Sequence, residues 1–257
     1  MNRLKKIFET KQRNVLNIYC TAGYPQLEST PEIMKALQQN GADIIELGMP
    51  YSDPLADGPV IQHSSSIALQ NGMTIRKLFE QLKDLRKEIH IPVILMGYMN
   101  PVLQYGFEKF CADASAIGID GLILPDLPEH EFETEYGAMI RKYGLDFIFL
   151  VTPETSDERV KKLDSLSSGF LYAVSSSSTT GTDHKESNKE GYLLRLRNLR
   201  LKNPVLVGFG ISNKQAFDAV CQLAEGAIIG SAYIKALENS ADVNETTKSF
   251  LSSILNE

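Results

Sequence analysis

The segment Asp43-Ile-Ile-Glu-Leu-Gly48, followed by Met49-Pro-Tyr-Ser-Asp-Pro-Leu-Ala-Asp-Gly-Pro59, carries the pattern from which the fold can be predicted. Its first part is a short, mostly apolar run, which is typical of a buried strand in a parallel sheet. The part after Gly48 is rich in Pro, Asp and Gly, the residues that form turns. The segment therefore predicts a strand followed by a long loop.

Seven more short apolar runs occur along the chain, and most of the stretches between them have helical spacing, such as Ile75, Leu78 and Leu82. Including the first segment, strands are predicted to begin near Val15, Asp43, Pro92, Asp120, Leu145, Gly169, Pro204 and Glu225. Eight strand–helix units at this length fit a closed barrel of about 250 residues better than an open sheet. We therefore predict an α/β fold, a single (β/α)8 TIM barrel in which residues 1–257 form one domain.

Two intervals between predicted strands are longer than the others. Asp43 and Pro92 are 49 residues apart, and Gly169 and Pro204 are 35 apart, whereas the remaining intervals are 21–28 residues. Loops after the C-terminal ends of barrel strands build active sites. The long loops after strands 2 and 6 are therefore expected to be functional.

Composition and charge restrict the classes of function. The chain of 257 residues has a net charge of −6 and 43% hydrophobic residues, as in ordinary globular proteins. The missing clusters of Lys and Arg argue against nucleic acid as a partner. No apolar run approaches the roughly 18 residues of a membrane span. Leu4, Ile7 and Phe8 predict an extra N-terminal helix rather than a secretory signal, so a cytoplasmic location is expected.

The positions of potential metal ligands and of lysines argue against several catalytic mechanisms. The three cysteines and four histidines have no metal-site spacing: Cys20, Cys111, Cys221, His63, His90, His130 and His184. No Lys lies in or at the end of a predicted strand, which argues against a Schiff-base aldolase. The common nucleotide-binding motifs are also missing. The remaining hypothesis is acid/base chemistry by carboxylates, with no metal.

Three carboxylates occur within residues 46–57. Glu46 lies in an apolar strand, where burial would raise its pKa and let it act as acid and base, although pairing with a Lys or Arg fits equally well. Asp53 and Asp57 each have turn neighbours, which favours a turn role for either one alone. Their position together at the predicted barrel mouth favours a function.

A phosphate site is predicted after the last two strands. Val205-Leu-Val-Gly-Phe-Gly-Ile-Ser212 and Ala227-Ile-Ile-Gly-Ser231 each combine a strand, a Gly turn and a helix start. Backbone N–H groups and a helix N-terminus can approach an anion there, and this fold often binds phosphate at these loops. The Ser/Thr-rich stretch from Val174 to Asp183 fits either a flexible linker or a lid over that site.

The residues Glu46-Leu-Gly-Met-Pro-Tyr-Ser-Asp-Pro-Leu-Ala-Asp-Gly-Pro59 closely resemble the signature of the tryptophan synthase alpha subunit family. The resemblance extends over nearly the whole chain, through Thr21-Ala-Gly-Tyr-Pro25, Tyr98-Met-Asn-Pro101, Asp126-Leu-Pro128, Gly208-Phe-Gly-Ile-Ser212 and Gly230-Ser231. It implies a carbon–carbon lyase of tryptophan biosynthesis that cleaves indole-3-glycerol phosphate to indole and glyceraldehyde 3-phosphate. It also implies a beta subunit that carries pyridoxal phosphate and receives the indole in an alpha2-beta2 heterotetramer, with no cofactor in this chain.

The resemblance assigns roles to individual residues. Glu46 matches the general acid/base and Asp57 the second catalytic carboxylate of the family. The remaining matches are Tyr172, Tyr19, Tyr98 and Phe209 around the indole, Gly181, Gly210, Gly230 and Ser231 at the phosphate, and Thr180 in a lid that approaches the loop with Asp57.

The sequence departs from the family pattern at two places. The lid reads Ser178-Thr-Thr-Gly181 where Gly-Val-Thr-Gly is usual, and strand one reads Asn17-Ile-Tyr19 where Val-Pro-Tyr or Val-Pro-Phe is commoner. No catalytic consequence is expected from the change at strand one. A phosphate-binding sugar isomerase remains an alternative, although no carboxylate ends strands one and five. A catalytically weak barrel that acts as an allosteric binding subunit is another.

Overall fold

The computed structural model describes residues 2–174, 185–208, 210–238 and 240–256, and for residues 185–188 the backbone only. Within these ranges, parallel strands form one sheet in the order β5-β4-β3-β2-β1-β9-β8-β7-β6. The strands are β1 (Val15–Thr21), β2 (Ile44–Gly48), β3 (Val93–Met96), β4 (Gly121–Ile123), β5 (Asp146–Phe147), β6 (Leu150–Val151), β7 (Leu171–Ala173), β8 (Val205–Val207) and β9 (Gly226–Ile229).

The two edges of the sheet belong to one continuous stretch of chain. β5 pairs with β4 and β6 pairs with β7, and only Ile148 and Phe149 separate β5 from β6. The Ile148 N–H donates to Leu122 O at 3.0 Å, and the Tyr172 N–H donates to Phe149 O at 3.0 Å. These bonds curl the sheet into the predicted barrel. The described residues give nine strands rather than eight because the predicted fifth strand is split into β5 and β6.

Helices cover the outside of the sheet and bury the larger apolar cluster against it. Among the described residues they are α1 (Arg3–Thr10), α2 (Ser29–Gln39), α3 (Pro59–Gln70), α4 (Ile75–Leu82), α5 (Leu85–Glu88), α6 (Met99–Tyr105), α7 (Phe107–Ile117), α8 (Glu129–Glu131), α9 (Gly137–Lys142), α10 (Asp157–Leu166), α11 (Lys185–Asn198), α12 (Lys214–Cys221), α13 (Ser231–Glu238) and α14 (Val243–Leu255). A π-helical turn, Phe132–Tyr136, connects α8 to α9. The long interval after β2 contains both a loop and the additional helix α3.

Alternate strand residues point into the barrel because side chains along a strand change face at every residue. The buried residues of this inner cluster are Leu4, Val15, Ile44, Ile94, Ile123, Ile148, Phe170, Tyr172, Leu206 and Ile228. Leu4 comes from the predicted N-terminal helix, here α1, and is fully buried. Asn2 Nδ2 donates to Asp146 Oδ2 at 2.7 Å and Arg3 pairs with Asp120 at 2.9 Å. Helix α1 thereby closes the N-terminal end of the barrel.

None of the helices described is long and apolar enough to cross a membrane.

Candidate active site

Glu46 lies on the inner face of β2, two residues beyond Ile44 of the apolar inner cluster. In the sheet it stands beside Tyr19 of β1 and Ile94 of β3, and it has no solvent exposure. Asn17 Nδ2 donates a hydrogen bond of 2.9 Å to Glu46 Oε2, whereas Oε1 has no hydrogen-bond partner in the described part of the chain. The carboxyl is therefore held by a neutral amide rather than by a Lys or Arg.

Burial dominates the protonation of Glu46. Desolvation, with a smaller contribution from the nearby charge of Asp57, raises the pKa of this carboxyl to about 8. The hydrogen bond from Asn17 acts in the opposite direction because it stabilises the charged form. Glu46 is consequently protonated for the most part at neutral pH, yet close enough to its pKa to exchange the proton.

Asp57 lies in the loop between β2 and α3 and is half-buried. Desolvation raises its pKa to about 6, and a hydrogen bond from the Tyr98 hydroxyl opposes that rise. The same hydroxyl accepts from the Ala56 N–H at 3.1 Å, so Tyr98, the residue before α6, holds the loop at two adjacent residues. Asp57 is more acidic than Glu46 because it is less deeply buried and has this hydroxyl donor.

Asp53, the third carboxylate of the segment, is placed differently. Its side chain is exposed and accepts from Ser52 Oγ at 2.5 Å. This local contact is the turn role that its neighbours in the sequence favour. Asp53 is therefore not part of the buried carboxylate pair.

Two tyrosines occupy the barrel interior beside Glu46, and both depend on a glycine opposite. A Cβ atom at Gly48 would lie 2.1 Å from the Tyr19 hydroxyl oxygen, and one at Gly208 would lie 2.2 Å from Tyr172 Cε2. Only glycine therefore leaves room for these rings. Burial, with the carboxylates nearby, raises the pKa of Tyr19 and of Tyr172 well above the ordinary value, so both hydroxyls stay neutral.

The predicted phosphate residues lie after β8 and β9. Gly210 adopts φ +65°, a left-handed conformation that favours glycine. Gly230 follows β9, and Ser231 begins α13, whose first N–H groups face outward along the helix axis. Lys189 of α11 lies beside this region, because its Nζ is 3.4 Å from where a Cβ of Gly210 would be. The sequence pattern of strands and Gly turns did not predict that this lysine lies near the phosphate residues.

Three predicted site residues, Phe209, Thr180 and Gly181, lie outside the described residues, as does the lid residue Ser178.

Asn17 is a site residue that the sequence-based interpretation missed, since no consequence was expected there. A signal was available in the strand itself. Asn17 is a polar residue in an apolar run, and it lies two positions before Tyr19, which places both side chains on the same face of β1.

The family model described as Tryptophan synthase alpha chain matches residues 5–255. This chain belongs to the tryptophan synthase alpha chain family. A member from Flavobacterium johnsoniae is 54% identical over 242 residues, covering 93% of this chain and 95% of that relative. A member from Parabacteroides distasonis is 47% identical over 255 residues and covers 99% of both chains.

Solved structures of the family confirm the barrel. The tryptophan synthase alpha chain from Legionella pneumophila superimposes with a TM-score of 0.88 at 35% identity, covering 99% of this chain and 96% of that chain. The A-subunit from Pyrococcus furiosus gives a TM-score of 0.86 at 34% identity, covering 95% and 98%. As a member of this family, the protein is a lyase of tryptophan biosynthesis that cleaves indole-3-glycerol phosphate to indole, and the family implies a beta-subunit partner.

The raised pKa of Glu46 predicts how stability depends on pH. The folded state binds a proton between the ordinary pKa of 4.5 and about 8 that the unfolded state releases, so the free energy of unfolding should fall as pH rises through this window. Glu46→Gln removes the titration. The difference in free energy of unfolding between Glu46→Gln and wild type should therefore increase in favour of the variant by roughly 3–4 kcal/mol from pH 5 to pH 9, as measured by urea unfolding.

Glu80→Gln is the matched control, because Glu80 is exposed on α4. Its free energy of unfolding should depend on pH in the same way as that of wild type. A constant difference between Glu46→Gln and wild type across this range would contradict the raised pKa.

Proposed function

We propose that Glu46 is the general acid/base and Asp57 the second catalytic carboxylate in cleaving indole-3-glycerol phosphate to indole and glyceraldehyde 3-phosphate. The observation that carries this assignment is the Glu46 carboxyl, which is fully buried on β2, two residues before the C-terminal end of that strand, and whose Oε1 is unpartnered among the described residues. A buried carboxyl with no cation at its oxygens is costly for folding, which is typical of a functional group. Active sites of this fold lie at the same end of the barrel.

The two pKa values suit the two carboxylates to different steps. Protonated Glu46 delivers its proton to C3 of the indole ring, which leaves a positive charge on the ring nitrogen. Asp57, with a pKa of about 6, is ionised at neutral pH and stabilises that charge.

Glu46 completes the cycle as a base. Its carboxylate takes the proton of the glyceryl 3′-hydroxyl while the C3–C3′ bond breaks, and the 3′-carbon becomes the aldehyde of glyceraldehyde 3-phosphate. The electron pair of the broken bond returns to the ring and neutralises the nitrogen. Glu46 ends protonated, as it began, so one residue carries the proton through both steps.

The remaining site residues are proposed to bind the two ends of the substrate. Flat aromatic side chains suit the indole ring, and backbone N–H groups at a helix N-terminus suit a phosphate. We assign the indole to Tyr172, Tyr19, Tyr98 and Phe209, the phosphate to Gly181, Gly210, Gly230 and Ser231, and closure over the loop with Asp57 to Thr180. The closely packed pairs Tyr19–Gly48 and Tyr172–Gly208 support a shaped aromatic pocket.

We propose that the chain works in the cytoplasm in an alpha2-beta2 heterotetramer, in which the beta subunit holds pyridoxal phosphate and receives the indole. This chain then needs no cofactor of its own, since the proposed steps need only proton transfer by Glu46 and stabilisation of the ring charge by Asp57. One sheet runs from β1 to β9, which supports residues 1–257 as one domain. Leu55, 93% exposed on the loop with Asp57, is an apolar residue suited to contact the beta subunit.

Replacing each carboxylate tests the assignment. With beta subunit present, Glu46→Gln should abolish indole release from indole-3-glycerol phosphate, and Asp57→Asn should slow it by about 10²–10⁴-fold. Asp84→Asn, a change on the exposed N-terminal side of α5, is the control and should retain wild-type turnover. Binding of glycerol 3-phosphate should persist in all three variants. Near-normal turnover by Glu46→Gln would overturn the assignment.

The pH profile of kcat/KM should be bell-shaped. It should fall above about pH 8, where Glu46 loses the proton it must donate, and below about pH 6, where Asp57 becomes neutral. The substrate phosphate also titrates near pH 6. Asp57→Asn separates the two sources, since loss of the acid limb assigns that limb to Asp57. An acid limb that persists in the variant belongs to the phosphate and contradicts this part of the proposal.

Light scattering of the chain mixed with its beta subunit tests the assembly. The expected mass is that of two alpha and two beta chains, with a higher rate of indole release than from the isolated chain. Leu55→Ser should weaken the complex because it removes exposed apolar surface at the proposed contact. Leu194→Ser on α11, at a leucine that is 40% exposed, is the matched control and should assemble normally. The mass of a complex of one alpha chain and one beta chain would contradict the proposed heterotetramer.

A further inference from the structure

A buried amide beside the catalytic carboxyl distinguishes β1 from an ordinary barrel strand. Asn17 and Glu46 both have no solvent exposure, and Asn17 Nδ2 lies 2.9 Å from Glu46 Oε2. The two residues are 29 positions apart in the sequence. They meet because β1 and β2 are paired strands, and both side chains lie on the face of the sheet that points into the barrel.

Packing alone does not account for an amide at this position. In the sheet Asn17 stands beside Ile44 of β2 and Ile228 of β9, both buried aliphatic residues of the inner cluster. A buried amide is costly unless its polar atoms are paired, and Asn17 Oδ1 has no partner within the described residues. An aliphatic side chain would satisfy the surroundings of Asn17 better. The hydrogen bond to Glu46 is what the amide adds.

We propose that Asn17 is a positioning residue, which anchors Glu46 Oε2 and leaves Oε1 as the oxygen that exchanges protons with the substrate. This inference rests on the proposed role of Glu46. An amide N–H donates, and the C=O oxygen of a neutral carboxyl is a better acceptor than its O–H oxygen, so Oε2 is the C=O oxygen and the acidic proton resides on Oε1. The bond also prevents rotation of the carboxyl between the proton-delivering and the proton-accepting step, so the same oxygen serves both.

The groups around Glu46 allow its titration to be followed separately. The titratable side chains coupled to its charge are Asp57 in the loop after β2, Tyr19 and Cys20 on β1, and Tyr172 on β7. Burial keeps both tyrosines neutral and raises the pKa of Cys20 to about 12. Between pH 7 and pH 10, Glu46 is therefore the member of this group that changes charge, and the alkaline limb of the activity profile reports it.

Asn17→Leu tests the inference, since leucine has a similar shape without the N–H donor. Without that donor the charged form of Glu46 is less stabilised, so the alkaline limb of kcat/KM should move up by about one pH unit. The value of kcat at pH 7 should fall by about tenfold through loss of orientation, while KM stays within about twofold. Indole release is measured in the complex with the beta subunit.

Two further variants control for stability. Asn17→Val introduces the aliphatic residue that is commoner in the family at this position. It should move the alkaline limb of kcat/KM up in the same way as Asn17→Leu. Asn17→Val therefore replaces Asn17→Leu in the test if the leucine variant folds poorly. Thr247→Val removes a different fully buried polar group, a hydroxyl on α14 at 2.7 Å from the Tyr233 hydroxyl. It should lower the midpoint of thermal unfolding without moving the limb.

The outcomes separate the two proposals. The proposed role of Glu46 is overturned if the wild-type protein releases no indole, or if the Glu46→Gln variant still releases it. If wild type is active and Glu46→Gln is not, but both Asn17 variants keep the wild-type limb and kcat, then Asn17 only packs and the inference is wrong. The positioning role of Asn17 is also contradicted if the Asn17 variants lose thermal stability while the alkaline limb of kcat/KM does not move.

Discussion

The burial of the Glu46 carboxyl without a cation is the constraint on which the site depends. A carboxyl in the apolar interior of a barrel is stable only in its neutral form or with donors that replace water. Here a single amide donor is present on one oxygen, and desolvation raises the pKa to about 8. The protein gives up stability at neutral and alkaline pH to keep an acid that can lose its proton. This cost is offset by the buried apolar cluster that fills most of the barrel interior.

The surroundings of this carboxyl explain other features that look unrelated in sequence. Gly48 and Gly208 leave room for the buried rings of Tyr19 and Tyr172. Tyr98 holds the loop of Asp57 through two hydrogen bonds. Helix α1 closes the opposite end of the barrel, so access is restricted to the end where the strands finish. The result is a pair of interacting carboxylates with different acidity.

The two alternatives to cleavage by a carboxylate pair differ in what they require. A sugar isomerase would need its acid/base groups at other strand ends, whereas Glu46 and Asp57 interact with each other through the loop after β2. A purely allosteric barrel would gain nothing from a buried carboxyl with an unpartnered oxygen among the described residues. The family activity, cleavage of indole-3-glycerol phosphate to indole, needs a proton donor to indole C3, which is the role that we propose for Glu46.

The sequence by itself determined the barrel, the extra N-terminal helix and the candidate carboxylates, because hydrophobic periodicity and turn residues are local properties. The family signature added roles for Glu46 and Asp57. Tertiary structure alone decided the protonation of these residues, the contact between Asn17 and Glu46, and the nearness of Lys189 to Gly210. It also separated Asp53 from the pair, although all three carboxylates occur in one short segment. The physical reason is that pKa values and hydrogen bonds depend on desolvation and on residues distant in sequence, which only the closed sheet brings together.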